Sequence, residues 1–272
     1  MPRRASIVPA LCFWLAVPLA AQWLDYPTPG IPRLANGKPN LAAPAPRRFG
    51  HPDLSGVWQL EPATCNASAS IGTCGQDYTG GPEFGNIAAR LGRELPYRPW
   101  AAELVRKRAR TEGREDPVAL CQPAGALRLL TYPPYRKIVQ NPELIVILSE
   151  RDVTFRQIFT DGRPLPKDPN PSFNGYSVGR WQGDTLVVET NGFRDGIWLD
   201  RKGNPLTDAA KMTERFRRAN FGNLDIEVTI DDPKAYTRPW TVKLHQMLMP
   251  DTDLLEYYCQ ENEKDNRHIQ AK

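Results

Sequence analysis

The sequence predicts a mainly β protein that folds as an antiparallel up-and-down barrel of the lipocalin or calycin kind. From about residue 126, short runs rich in Val, Ile, Leu and Phe alternate with turn signals such as Asp161-Gly162 and Asn191-Gly192. Most links between these runs are too short for helical crossovers, which favours antiparallel hairpins. A meander of this kind closes into a barrel because closure removes exposed edges. A β-sandwich is the alternative.

The N-terminal residues predict export. Two arginines near the start precede the uncharged apolar run Ala5–Leu19, and Ala20-Ala21 completes a small-residue cleavage site, so residues 1–21 are interpreted as a signal peptide. The run is shorter than the roughly 20 residues that a spanning helix needs, and two prolines interrupt it. We therefore expect a periplasmic or secreted protein with no integral membrane segment after cleavage.

The rest of the chain divides into a Pro-rich extended arm over 22–52 and a β-rich domain over 53–272. The domain opens with a strand at Asp53–Leu60, and a helical insertion follows near 86–110. The two helices expected there are Asn86–Leu91 and Trp100–Arg110. The strands expected after them are Ala126–Tyr132, Arg136–Gln140, Leu144–Glu150, Thr154–Thr160, Tyr176–Trp181, Thr185–Thr190, Lys211–Arg217, Leu224–Ile230, Thr241–Leu248 and Leu255–Cys259.

Charge and motif content exclude several classes of function. The chain has 35 basic and 31 acidic residues, and loss of two arginines with the leader leaves a formal charge of +2. Basic and acidic residues are interspersed, so no nucleic-acid partner is expected. No phosphate loop or dinucleotide fingerprint occurs, and we expect no cofactor. The three histidines are scattered and no Cys-x-x-Cys occurs, so no metal site is expected.

The cysteine count predicts two disulfides. Cys12 leaves with the leader, and an even number of cysteines then enters an oxidising compartment. Of the three possible pairings we favour Cys65–Cys74, which closes a small Ser/Gly-rich loop, and Cys121–Cys259, which ties the start of the β-rich region to its last strand.

Several motifs resemble those of a family of exported bacterial proteins. They are Asp53–Trp58 (DLSGVW), Asp161–Pro166 (DGRPLP), Gly175–Phe193 (GYSVGRWQGDTLVVETNGF), Thr213–Arg218 (TERFRR), Thr229–Trp240 (TIDDPKAYTRPW) and Cys259–Asn262 (CQEN). The resemblance implies export and a β-rich fold, and it brings no reaction with it. Members of that family place histidines near the stretch where this chain has Leu206 and Lys211, so the resemblance carries no histidine metal site here.

Ser177 is a weak candidate nucleophile. It lies in Gly175-Tyr176-Ser177-Val178-Gly179, which matches the Gly-x-Ser-x-Gly elbow. That elbow needs a helix after the serine, whereas a β-run follows here. The alternative is a small residue on a strand whose glycines permit close packing or a bulge.

Charged residues inside strands provide the other candidates. Glu189 and Glu214 interrupt apolar or β-branched runs, and Arg156, Arg180 and Arg215 lie on neighbouring segments. A barrel points one face of each strand inward, so we expect at least one glutamate to face the interior against an arginine. Such a carboxylate is a candidate acid or base. The alternative is a set of cross-strand ion pairs on the solvated face.

Two further residues are candidates for ligand binding. Arg163 follows a tight turn that we place at the barrel mouth, where binding loops concentrate. Trp181 supplies an aromatic wall for a pocket. The full set of ligand-binding candidates is Arg156, Arg163, Arg180, Trp181 and Arg215.

Three functions remain open from the sequence. The first is an exported protein that binds a small, largely apolar molecule in the barrel cavity. The second is an enzyme on the same scaffold that uses an interior carboxylate and arginine for proton transfer or hydrolysis. The third is a structural or assembly protein. An apolar cavity favours the first, a charged cavity the second, and a barrel filled by side chains the third.

Overall fold

The computed structural model describes residues 27–61, 81–111 and 113–259. The predicted leader and the expected Cys65–Cys74 bond lie outside these residues. The three helices are α1 (Pro82–Gly85), α2 (Pro99–Ala109) and α3 (Ala126–Thr131). The strands are β1 (Arg47–Arg48), β2 (His51–Pro52), β3 (Gly56–Leu60), β4 (Arg136–Gln140), β5 (Leu144–Ser149), β6 (Thr154–Phe159), β7 (Tyr176–Gln182), β8 (Thr185–Asn191), β9 (Ile197–Trp198), β10 (Pro205–Leu206), β11 (Lys211–Arg218), β12 (Asn223–Asp231) and β13 (Trp240–Leu248).

Nine strands close into a barrel in the order β11-β12-β13-β3-β4-β5-β6-β7-β8. The predicted barrel is therefore confirmed. Its walls are antiparallel except between β6 and β7, which run parallel. This one pair departs from the up-and-down prediction because the proline-rich loop 160–175 is too long for a hairpin and brings the chain back to the end where β6 begins.

Side chains fill the interior of the barrel. Buried and more exposed residues alternate along β11, β12 and β13, as they must when one face of each strand points inward. The inward apolar side chains belong to one continuous core. They include Trp58, Leu60, Ile145, Ile158, Leu186, Val188, Phe216, Leu224, Ile226, Val228, Ile230 and Leu244, each at most 2% exposed.

The N-terminal arm packs on the barrel. Main-chain hydrogen bonds join Phe221 N–H to the Ala43 carbonyl at 2.7 Å and Gly222 N–H to the Leu41 carbonyl at 2.8 Å. A β-carbon on Gly222 would lie 2.5 Å from Leu41 Cβ, so the close approach requires glycine. The β1–β2 hairpin then stacks His51 on Trp181, with ring centroids 4.5 Å apart.

Three expected elements differ in the structure. The predicted strand Ala126–Tyr132 is the helix α3, because a short apolar run buried on all sides has the same composition in either form. Residues 86–91 form turns, so the first expected helix is wrong, whereas the second is present as α2. At Leu255–Cys259 the structure has one bridge between Arg151 and Tyr257 in place of a strand. None of the helices in the described part of the chain has the length and apolar character for crossing a membrane.

Candidate functional site

A buried ion pair crosses the barrel interior from β6 to β11. Arg156 donates to both oxygens of Glu214, with Nη1–Oε1 at 2.8 Å and Nη2–Oε2 at 2.5 Å. Glu214 is 0% exposed and Arg156 is 4% exposed. The expectation that at least one of the two glutamates faces inward against an arginine is thus confirmed for Glu214. Two charges removed from water in this way compensate each other, and loss of either leaves the other buried and unpaired.

The same guanidinium holds two hydroxyl groups. Arg156 Nε donates to Ser177 Oγ at 3.1 Å, and its Nη2 donates to Thr190 Oγ1 at 2.9 Å. Ser177 and Thr190 lie opposite each other in the β7–β8 pairing, and their oxygens are 2.9 Å apart. One arginine therefore connects β6, β7, β8 and β11. We call Arg156, Ser177, Thr190 and Glu214 the polar network.

The network is arranged for cohesion rather than for nucleophilic chemistry. Ser177 lies inside β7, so no turn into a helix presents its hydroxyl. The Ser177 hydroxyl bonds to Arg156 and Thr190, and neither of these side chains is a general base. The two motif glycines serve packing: Gly175 has φ +65°, and a β-carbon on Gly179 would lie 3.0 Å from Ile158.

The barrel wall opens beside this network. β6 and β7 pair only at Ile158–Ser177 and Phe159–Val178, the shortest register among the neighbouring strands of the barrel. On the N-terminal side of Ile158 and Ser177, β6 separates from the segment that precedes β7. The gap is a groove of about 410 Å³, which we call the β6–β7 groove. Its lining consists of Pro123, Thr154, Phe155, Arg156, Gln157, Phe159, Ser172, Phe173, Asn174, Gly175, Tyr176 and Ser177.

Four aromatic side chains, Phe155, Phe159, Phe173 and Tyr176, line the groove together with six polar ones. Phe155 is 59% exposed, the highest value among the large apolar side chains of the described residues, and it gives the groove an apolar surface open to solvent. Asn174 crosses the groove and donates from Nδ2 to the main-chain carbonyl of Phe155 at 2.9 Å. The volume of the groove is within the range of small-ligand sites, and aromatic and polar side chains share its walls.

A second hollow of about 660 Å³ shares Ser172, Gly175 and Tyr176 with the groove and includes Arg163. Asp161 accepts from Arg163 Nη2 at 2.6 Å, and this hydrogen bond lowers the pKa of the Asp161 carboxyl. Arg163 also lies 3.9 Å from the centroid of the Phe159 ring. The turn thus holds Arg163 beside the groove, and its role in ligand binding stays a prediction.

The remaining candidates lie on the outer surface. Glu189 is exposed on β8, facing away from the interior. Arg180 is exposed on β7, and its guanidinium donates to the Arg163 carbonyl at 3.4 Å. Arg215 lines a shallow hollow of about 440 Å³ on the outer face of β11–β13, where basic and acidic side chains alternate. Trp181 packs on the core and stacks with His51, outside the groove.

A second buried ion pair joins Arg128 of α3 to Asp116, in the segment before this helix. Arg128 donates to both carboxylate oxygens of Asp116, at 2.7 and 2.5 Å. The predicted disulfide Cys121–Cys259 is present next to this region. Arg151 lies near it, with its guanidinium carbon 5.4 Å from the Tyr132 ring centroid. Arg151, in the turn between β5 and β6, donates to Tyr257 Oη at 2.9 Å and so joins the C-terminal segment to that turn.

Phe155, Asn174 and Thr190 escaped the sequence analysis. Phe155 alternates with Arg156 along β6, so a strand with one arginine inside must present its phenylalanine outside. That alternation was a usable signal for Phe155. Asn174 had none, because its contact depends on the separation of β6 from β7.

Neither any protein-family model nor any curated protein sequence matches this chain. Among the described residues no cluster of three or more metal-ligating side chains occurs. The groove and the polar network are therefore the features of the molecule that bear on its function.

Proposed function

We propose that this is an exported binding protein that holds a small, largely apolar molecule in the β6–β7 groove. The observation that carries the proposal is the groove itself, which has a volume of about 410 Å³ and lies between aromatic side chains where the barrel wall is open. Closed barrels commonly bind small molecules, and this fold is compatible with that role. The groove differs from the site we expected, which was the barrel interior.

The packing of the interior supports a binding site in the groove rather than inside the barrel. The inward side chains of β11, β12 and β13 belong to the core and are almost entirely buried. A ligand of any size would have to displace them, at a cost comparable to that of overpacking a protein core. The groove needs no such displacement, since it opens to solvent.

The electrostatics of the groove favour a neutral ligand. Arg156 lies at its floor, but Glu214 pairs with both outer nitrogens of the guanidinium and balances its charge. The side walls present the rings of Phe155, Phe159 and Phe173. Several of the polar groups already bond to one another or to the main chain, so apolar contact with the rings supplies most of the affinity.

The two other functions have less support. An enzyme that uses Glu214 needs access to its carboxylate, which is 0% exposed and accepts two hydrogen bonds from Arg156. The filled interior favours a structural role, as reasoned from the sequence. An open groove with an exposed phenylalanine is not required by a structural role, and it is what favours binding.

Export is part of the proposal. It rests on the predicted leader and on the disulfide Cys121–Cys259, a bond typical of oxidising compartments. Mass measurement of protein from the native cell envelope should show loss of about 21 residues, the length expected of a cleaved leader. An intact Met1 in the mature pool would contradict export.

A panel of small apolar and aromatic metabolites, screened by ligand-induced thermal stabilisation, tests the binding function. A compound that stabilises the wild type should bind Phe155→Ala about tenfold more weakly, since one buried aromatic contact is lost. Phe49→Ala is the matched control, because Phe49 is also about half exposed and lies outside the groove. Equal affinity of both variants, or no stabilising compound at all, would contradict the proposal.

A further inference from the structure

We infer that the ligand of the β6–β7 groove is a short extended peptide that pairs with the open edge of β6. This inference rests on the proposed function, because it assumes that the groove is the binding site. It names the chemical class of the ligand and the main-chain groups that recognise it. Addition of a peptide strand to an open sheet edge is a recurring mode of recognition.

The first observation is the open edge. On one side β6 pairs with β5 along its whole length, from Ser149–Thr154 to Leu144–Phe159. On the other side pairing with β7 begins only at Ile158. The four residues Thr154–Gln157 therefore have no strand beside them on the groove side. At about 3.3 Å per residue this edge is about 13 Å long, which fits a peptide of four residues.

The second observation is the direction of the main-chain groups. The Phe155 carbonyl accepts from Asn174, so the peptide groups of Phe155 point into the groove. Alternate residues of a strand point their main-chain groups the same way, so the Gln157 N–H points there too, while the Gln157 carbonyl faces Ser177 in the β6–β7 pairing. In the part of the chain that the structure describes, no main-chain hydrogen bond joins either N–H to the Ser172–Gly175 loop.

The third observation is the role of Asn174. Its side-chain carboxamide is chemically the same donor as a peptide N–H, and it occupies the place where the amide of a neighbouring strand would lie. Its Oδ1 is buried and lacks a hydrogen-bond partner among the described residues. A peptide N–H that replaces the Asn174 amide exchanges one hydrogen bond for another, and the rest of its main chain adds new ones.

The groove also limits the side chains of the peptide. Successive side chains of an extended peptide point to opposite faces, so every second one meets the groove floor and walls. The walls are aromatic, and the charge of Arg156 is balanced by Glu214. An aromatic or aliphatic side chain fits this surface, whereas a charged one would lose its hydration without gaining a partner.

Acetylated and amidated tetrapeptides with one aromatic residue are the probes, titrated calorimetrically into the full chain. The best binder is then made again with a single N-methyl group on each main-chain amide in turn. Methylation of the one amide that faces the Phe155 carbonyl should weaken binding about tenfold, because that amide donates to β6. Methylation of any other amide should change binding less than about threefold, since no other peptide N–H meets a free main-chain carbonyl of the open edge.

Asn174→Ala provides a second and opposite readout. It frees the Phe155 carbonyl, so the same peptide should bind about three- to tenfold more tightly, the range of one hydrogen bond. Asn191→Ala is the matched control, because the Asn191 amide also donates to a main-chain carbonyl, that of Pro166 at 2.7 Å. Neither Asn191 nor Pro166 lines the β6–β7 groove. The control should leave peptide affinity unchanged.

Each outcome decides the matter. Sensitivity to N-methylation at a single amide together with tighter binding by Asn174→Ala supports strand addition. Equal sensitivity at every amide or at none, or weaker binding by Asn174→Ala, overturns it. If no peptide binds but a non-peptide compound does, with dependence on Phe155, the inference fails while the proposed function stands. If neither class binds, both fail.

Discussion

Two sides of the barrel hold together in different ways. On the side of β11, β12 and β13, antiparallel pairing covers eight positions between each pair of neighbours. On the side of β6 and β7, parallel pairing covers two. Main-chain ladders close the first side, whereas the polar network and the disulfide region support the second. The comparison shows that this barrel tolerates an open wall because side chains replace the missing ladder.

The replacement has a functional consequence. Side chains that reach across the interior stabilise β6 without covering its outer edge. Arg156 connects β6 to Ser177, Thr190 and Glu214 from inside, and the groove on the outer side stays open. A full ladder between β6 and β7 would close the groove. The polar network is therefore the feature that allows stability and an open site together.

The largest expected effect is loss of the buried ion pair. Glu214→Gln removes one charge and leaves Arg156 buried beside a neutral amide, which should lower the free energy of unfolding by about 3–5 kcal/mol. Urea denaturation measures it. Glu227→Gln is the control: Glu227 faces out from β12, 3.7 Å from Lys243, and its replacement should cost at most about 1 kcal/mol. Equal losses would show that the network does not support the open side.

The second effect concerns the disulfide. Cys121 and Cys259 are 138 residues apart in the chain, so their bond removes much of the freedom of the unfolded state. Cys121→Ser should lower the free energy of unfolding by about 3 kcal/mol. Cys259→Ser should match it, and the double variant should be no worse than either single one, because both break the same bond. Additive losses would mean that the cysteines act separately.

The third effect tests the loop that shapes the groove. Gly175 has φ +65°, and a β-carbon there would lie 2.7 Å from the Asn191 carbonyl oxygen. Gly175→Ala should therefore cost about 2 kcal/mol through strain and crowding. Gly162 also has a positive φ but has open space around it, so Gly162→Ala isolates the strain alone, about 1 kcal/mol. Equal melting temperatures for the two variants would contradict the crowding.

Much of this architecture was predictable from the sequence, because hairpin turns and alternation are local signals. Those signals predicted the barrel and an inward glutamate, without distinguishing Glu214, which is buried, from Glu189, which is exposed. The parallel β6–β7 pair was not predictable, since the loop 160–175 carries no signal for where it returns. The choice of Arg156 from three arginines likewise depends on cross-barrel geometry, which a single strand pattern does not contain.

The groove shows the same limit. Ser177 and Arg156 were both candidates from the sequence, for different reasons, and the structure joins them by one hydrogen bond. Neither pattern indicated that the wall opens beside them. An opening results from missing pairing, and a strand pattern reports only the pairing that a segment is able to make.

The smallest effects should come from the outer-face candidates. Glu189 is exposed on β8, Arg180 on β7 and Arg215 on β11. The guanidinium groups of Arg180 and Arg215 each donate a long hydrogen bond of 3.4 Å, to the Arg163 carbonyl and to Gln182 Oε1. Exposed charges of this kind contribute little, because water solvates them equally well in the unfolded chain. Glu189→Gln, Arg180→Gln and Arg215→Gln should each change the free energy of unfolding by less than about 0.5 kcal/mol.

The same three variants sharpen the functional comparison. All three side chains lie outside the β6–β7 groove, so their replacement should leave the affinity for a groove ligand within about twofold of the wild type, a change of under 0.5 kcal/mol. Arg215→Gln is the most informative, because Arg215 lines the hollow on the closed side. If it weakens binding about tenfold while Phe155→Ala does not, the ligand binds the outer face of β11–β13. The open wall would then be a structural irregularity rather than a site.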